Sequence, residues 1–254
     1  MKIVTFNLRC SWNGDDINSF PHRGGAILNK IEKEKPDVIC FQEGIERSIS
    51  FLRNALPEYH IVFNQRNQDY RGEGMATALK KSSVELLELE SFWLSPTPHI
   101  PGTRFEEQSN CPRICQCLLL RQVDGKMFRI YNTHLDHQGE QARVLGIQAV
   151  LQRIQKDREI LNIPFFLMGD FNATPDSETI RICDESTAPA VKELTEPITL
   201  SFHGYGKITE NYKIDYIYAD AVTAQLPVTV APWDEDADGI YLSDHYPLQI
   251  EISL

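Results

Sequence analysis

Apolar positions along the chain gather into short runs separated by polar punctuation. Residues 2–8 alternate polar and apolar side chains before ending near Asn7. Asp37-Val38-Ile39-Cys40-Phe41-Gln42-Glu43 and Phe165-Phe166-Leu167-Met168 are instead continuous, the pattern of strands buried on both faces. Further strands are predicted at 59–63, 75–79, 84–94, 113–120, 127–133, 214–218 and 248–252. Lys80-Lys81-Ser82-Ser83 reads as a turn making a hairpin of 75–79 and 84–94, and Asp124-Gly125 as one joining 113–120 to 127–133. Helical spacing appears at 22–34 through Ala26, Ile27 and Ile31, with Pro36 as its stop, and again at 46–55. The stretch 140–158 reads as a helix packing through Leu145, Ala149, Leu151 and Ile154, and a short helix is expected after Pro175. Residues 95–111, with Pro96, Pro98 and Pro101 and then Pro112, read as one long functional loop, because structureless connections of that length in compact domains usually have a role. A second polar loop fills 185–211.

The strands repeatedly end on groups able to do chemistry. In Gly169-Asp170-Phe171-Asn172, Gly169 is expected to turn the chain sharply so that Asp170 and Asn172 emerge on one side. Glu43 closes a fully apolar strand, where a carboxylate must be solvated, paired or metal-bound. His134 ends the strand Tyr131-Asn132-Thr133, Asp215 sits alone in an aromatic strand that calls for a partner such as histidine, and Asp244-His245 opens the last turn. Each has an ordinary alternative: an Asx-turn, a hydrogen-bonded structural histidine, a solvated loop. Their recurrence at strand after strand favours a shared site.

Composition narrows the classes. The 254 residues, 42% hydrophobic, carry no linker, repeat or charge block, so a single domain over 1–254 is expected. Acidic residues outnumber basic ones, 36 to 25, for a net charge of −11. That argues against a constitutive nucleic-acid coat, which needs a concentrated basic surface, but not against an enzyme that touches nucleic acid. The six cysteines show neither a paired framework nor ligand spacing, and Cys115 and Cys117 alternate as small core residues would. No apolar run approaches the roughly 18 residues of a membrane span. The opening Met1–Asn7 reads as a strand with no signal peptide, giving a cytoplasmic setting as the expectation.

In order along the chain, Thr5-Phe6-Asn7, Gln42-Glu43, Asn132-Thr133-His134-Leu135, Gly169-Asp170-Phe171-Asn172, Ile214-Asp215-Tyr216-Ile217 and Ser243-Asp244-His245 resemble the endonuclease/exonuclease/phosphatase superfamily of metal-dependent phosphoesterases. Phe92-Trp93-Leu94-Ser95 with Cys111-Pro112-Arg113 resembles a bacterial subgroup of it. The resemblance implies an α/β fold, a four-layer α/β/β/α sandwich of two packed mixed sheets with outer helices. It implies Glu43 as the principal ligand of Mg²⁺ (or Mn²⁺), with Asn7, Asp170, Asn172 and Asp244 around one or two metal positions. It makes His245, oriented by Asp215, the general base or acid, His134 the group that steadies phosphoryl oxygens, and Glu73 the partner of His134. Hard oxygen ligands suit Mg²⁺ or Mn²⁺ better than zinc. The expected function is Mg²⁺-dependent hydrolysis of a small or terminal phosphoester. A nuclease comes second, and an inactive member that binds phosphorylated ligands third. A small phosphorylated substrate is expected before a long duplex, with Arg71, Arg104 and Arg113 available for one or two phosphates and Arg113 assigned to phosphate recognition. A monomer is the default.

Overall fold

The continuous apolar runs become strands covered on both sides. The computed structural model describes residues 1–10, 15–237 and 239–254. Its elements run β1 (Lys2–Asn7), α1 (Phe20–Glu34), β2 (Val38–Gly44), α2 (Glu46–Ala55), β3 (Tyr59–Gln65), β4 (Gly74–Lys80) and β5 (Val84–Trp93). There follow β6 (Ile114–Gln122), β7 (Met127–His134), α3 (Glu140–Ile160), β8 (Phe165–Asp170), α4 (Glu178–Asp184) and β9 (Val191–Glu193). The chain ends with β10 (Asp215–Asp220), β11 (Val228–Pro232), the two-residue strands β12 (Asp236–Ala237) and β13 (Ile240–Tyr241), and β14 (Leu248–Ile252). One six-stranded sheet has the order β11-β14-β1-β2-β4-β3, the other β5-β6-β7-β8-β10-β9. Both are mixed, because β1–β2 and β7–β8 are parallel pairs among antiparallel neighbours.

Period-two alternation explains the layers. From the first sheet Ile3, Val38 and Cys40 meet Leu118, Ile130, Phe166 and Met168 of the second in the middle of the molecule. Their chain neighbours Val4, Phe6, Ile39 and Phe41 point outward onto Ile27 and Ile31 of α1 and Ile49 and Leu52 of α2. Tyr131, Phe165 and Leu167 do the same against Ile147, Val150 and Ile154 of α3 and Ile180 of α4. The result is the expected four-layer sandwich of helix, sheet, sheet and helix.

Several local expectations change. Strands β4 and β5 are not a hairpin: β4 pairs with β2 and β3, β5 pairs with β6, and the Lys80–Ser83 turn carries the chain from one sheet to the other. The buried stripe of α3 runs through Ile147, Val150, Leu151 and Ile154, while Leu145 and Ala149 are only partly covered. Gly169 does not turn the chain; it lies inside β8 at φ +144°, and a Cβ there would stand 1.8 Å from the Thr133 carbonyl oxygen. It lets β8 press against β7. The 185–211 stretch contains β9, which extends the second sheet beyond β10. Cys40, Cys115, Cys117 and Cys183 are buried and free, as small core residues. No helix of the described residues is long and apolar enough to cross a membrane.

Candidate active site

Along the middle layer the inward positions change from apolar to polar toward one end of the sheets. The series Ile3, Thr5, Asn7 shares one face of β1, Ile130, Asn132, His134 one face of β7, and Met168, Asp170 one face of β8. Beneath the site this parity makes a dry polar floor. Gln42 Nε2 donates to Asn132 Oδ1 at 2.8 Å and to Thr5 Oγ1 at 3.1 Å, while Asn132 Nδ2 reaches the Phe41 and Ala76 carbonyls. The bonds of Asn132 cross from sheet to sheet, so they fix how the strand ends above them meet.

Glu43 breaks the parity, since Phe41 two residues earlier points outward. Strand β2 bulges between Phe41 and Gly44, and Glu43 sits at φ +54°. A bulge re-aims a side chain, and positive φ is strained for a non-glycine residue, so the fold holds this carboxylate in the cleft against its local preference. The Cys10 N–H donates to Glu43 Oε2 at 2.8 Å and Asn7 Nδ2 to Glu43 Oε1 at 3.1 Å. Burial would raise the Glu43 pKa, but these donors outweigh it and hold the carboxyl below its usual value.

Asn7 Nδ2 also donates to Asp170 Oδ2 at 2.9 Å, bridging the sheets. Asp170 Oδ1 accepts the Asn172 N–H at 2.9 Å, so the Asx-turn and the site are one feature. The Asn172 Nδ2 is tied to the Leu135 carbonyl at 3.2 Å. Burial, then the charge of Asp215, push the Asp170 carboxyl up to about 7. His245 Nδ1 lies 2.8 Å from Asp215 Oδ2, leaving Nε2 3.8 Å from Asp170 Oδ2 and 4.0 Å from Asp244 Oδ1. Burial opposes charge on this imidazole, but Asp215, Asp170 and Asp244 outweigh it and raise its pKa to about 10. His134 has the opposite fate. Burial, then the charges of Arg113 and Arg66, hold its pKa well below the ordinary value, so it stays neutral, with Nε2 3.4 Å from Asp170 Oδ2.

The cleft has a volume of about 410 Å³ and is lined by Glu43, Glu73, Arg113, His134, Asp170, Asn172, Asp244 and His245. Asp215 and Asn7 support it from behind. Glu73 enters it, but its carboxylate is 2.8 Å from Arg66 Nη2, and among the described residues no hydrogen bond joins it to His134. Arg71 is exposed, and Arg104 donates to the Ser109 carbonyl at 2.7 Å; neither lines the cleft. Arg9 and Arg66 do, and residue patterns gave no hint of them, since both come from polar loops without periodicity. Arg23 was missed as well. Fully buried, it donates to the Asn18, Leu8 and Leu242 carbonyls, tying the loop after β1 to the segment before Asp244.

Glu43, His134 and Asp170 offer one ligand atom each within 4.8 Å of one another, a donor set of two carboxylates and a neutral imidazole. Asp170 is buried and faces the charge of Asp215, which its hydrogen bonds from Asn172 and Asn7 do not offset, and this suits a divalent cation. The Cys10 thiol nearby is pushed up by burial and by Glu43 and Glu73, so it stays protonated and is a poor ligand.

Hydrolysis of a phosphoester requires negative charge to be offset at phosphorus and a proton to be moved at a water, and this strand-end cleft is equipped for both. The chain is a member of the endonuclease/exonuclease/phosphatase family, whose model matches residues 4–245 and whose members are hydrolytic phosphoesterases. The crystal structure of an endonuclease/exonuclease/phosphatase from Bacteroides vulgatus superposes with a TM-score of 0.91 at 26% identity, covering 100% of this chain and 98% of that one. Protein L388 of Acanthamoeba polyphaga mimivirus is 25% identical over 98% of this chain and 99% of its own length. Human tyrosyl-DNA phosphodiesterase 2 is 27% identical over 67% of this chain and 41% of its own.

Proposed function

We propose that the protein hydrolyses a small or terminal phosphoester with the aid of Mg²⁺ or Mn²⁺. The observation that carries the reading is the Asp215–His245 pair, 2.8 Å apart, beside the Glu43–Asn7–Asp170 cluster. Glu43 and Asp170 would hold the cation, with Asn7, Asn172, Asp244 and His134 around it. When bound, the cation would offset charge on the phosphoryl oxygens and favour ionisation of water. Asp215 engages Nδ1 of His245 and so orients the ring with Nε2 toward the cleft. His245 Nε2 lies 3.8 Å from Asp170 Oδ2; with the charge of Asp170 and Asp244 answered by a cation, His245 would give up its Nε2 proton and could then accept the one released as water attacks. Neutral His134 donates to a phosphoryl oxygen, and Arg113 engages another. A net charge of −11 favours a small or terminal ester over a long duplex.

Purified protein assayed against nucleotides, sugar phosphates, inositol phosphates and nucleic acids with Mg²⁺ or Mn²⁺ tests the reading. Chelator should abolish turnover, and Glu43→Ala should raise the cation concentration for half-maximal rate. Full activity in excess chelator would sink it. A second reading, a phosphodiesterase acting on tyrosyl-DNA, draws support from the likeness to human tyrosyl-DNA phosphodiesterase 2 and would show as preferential cleavage of tyrosyl-linked oligonucleotides.

A further inference from the structure

We propose that Arg113, buried beside Arg66, is a receptor for the second negative charge of a terminal phosphate, so that the site selects phosphomonoesters over phosphodiesters. This rests on the hydrolytic reading above.

Arg113 immediately precedes β6 and is 4% exposed. Its Nη2 contacts His137 Nδ1 at 3.1 Å, but among the described residues its Nε and Nη1 have no hydrogen-bond partner. The nearest carboxylate, Asp136, stands 4.0 Å away and already accepts from Ser109, Gln138 and Gly139. Arg66 is 8% exposed, with Nη2 on Glu73 and Nε unpartnered. The two arginines share the wall of a small void with Glu43 and His134. A guanidinium is always ionised, and buried donors left unpaired are costly unless something fills them.

The charge balance points to the ligand. Glu73 pairs with Arg66 at 2.8 Å, whereas Asp136 stands 4.0 Å from Arg113 Nε and spends its hydrogen bonds elsewhere, so the Nε and Nη1 donors of Arg113 are left open at the cleft wall. A diester brings one negative charge. A monoester near neutral pH brings close to two, and three terminal oxygens instead of two. A cation held by the carboxylates would answer the first charge; Arg113 answers the second, with a planar fork matched to two of those oxygens.

The test compares p-nitrophenyl phosphate with methyl p-nitrophenyl phosphate, which share a leaving group and differ in charge. With Mg²⁺ or Mn²⁺ the native protein should prefer the monoester in kcat/KM. Arg113→Gln should lower the monoester value roughly 10- to 100-fold more than the diester value, as expected for loss of charge-assisted bonds. Arg113→Lys should restore part of the difference, and thermal midpoints of both variants check folding. In parallel, calorimetry in chelator compares methyl phosphate with dimethyl phosphate. Tighter binding of methyl phosphate, weakened in Arg113→Gln, supports the receptor. Equal losses on both esters, or a native preference for the diester in either assay, would overturn it. If the native protein turns over neither ester, the hydrolytic reading fails, and the calorimetric comparison alone decides the receptor.

Discussion

Asp215 lies directly across from Asp170 in the antiparallel register of β8 and β10, so two carboxylates flank the His245 imidazole, one on each ring nitrogen. The nearer, Asp215, is the largest influence raising the His245 pKa. Asp215→Asn should therefore lower the titration midpoint of His245 from about 10 in cation-free protein, read by the pH dependence of its ring NMR signals. Turnover should fall roughly 10²- to 10⁴-fold, the usual worth of an acid–base group, with an unchanged circular dichroism spectrum. His245→Ala should match that loss. A fully active Asp215→Asn protein would remove the pair from the mechanism.

The raised carboxyl of Asp170 has a consequence for cation binding. Its folded pKa, about 7, exceeds its unfolded value near 3.9, so the proton it holds stabilises the fold fully below the unfolded value. That contribution is lost as pH rises through 7. His245 behaves alike, losing its contribution between about 6.5 and 10. A divalent cation competes with these protons, so the rise in thermal midpoint caused by Mg²⁺ should be small at pH 5.5 and grow through pH 7 to 8. A rise independent of pH would show that the cation binds elsewhere.

His134 should act on the phosphoryl oxygens and not on the leaving group. Its pKa is held low by burial, Arg113 and Arg66, which makes it a neutral hydrogen-bond donor throughout the working pH range. His134→Ala should then slow esters of p-nitrophenol and of an alkyl alcohol by similar factors, on the order of 10²-fold, as for loss of one oxyanion donor. A defect confined to the alkyl ester would assign His134 to leaving-group protonation instead.

Much of the site can be read from strand parity. Asp170 follows Met168 two positions earlier, and Asn7 and His134 follow Ile3 and Ile130 four positions earlier by way of Thr5 and Asn132, so the position of the core determines where they point. Glu43 reaches the cleft only through a bulge and a positive φ, which parity alone would not give. Arg66 was not readable, because its place depends on tertiary bonds: Trp93 Nε1 holds its carbonyl at 2.6 Å and Glu73 its guanidinium. The β4–β5 connection misled for a related reason. A polar turn between two strands looks the same whether the chain reverses within a sheet or steps to another, and only the pairing of β4 with β2 decides.

Duplex DNA offers a further test of the small-ester preference. Binding that neutralises many phosphates makes log affinity fall by about 0.9 per contact against log salt. The described cleft presents Arg9, Arg66 and Arg113, and the first two are already engaged by Asp15 and Glu73. A slope equivalent to roughly one to three contacts is expected. A steeper slope together with rapid plasmid cleavage would make a nuclease the better reading.

Gly169→Ala tests how closely β7 and β8 must approach. The added Cβ would lie 1.8 Å from the Thr133 carbonyl oxygen, and φ +144° is unfavourable for any side chain. Neither strand can yield cheaply, since β7 is paired on both sides and β8 lies between β7 and β10. The substitution should cost about 2–5 kcal/mol, the range of large single-site effects, seen as a lower denaturant midpoint with an unchanged slope. The next residues along the pair are His134 and Asp170, opposite one another in register. Separation of β7 from β8 should therefore lower turnover in the protein that still folds, beyond what the folded fraction explains. Native stability with native turnover would show that the strands can part without loss, and that their contact is not what sets the geometry of the cleft.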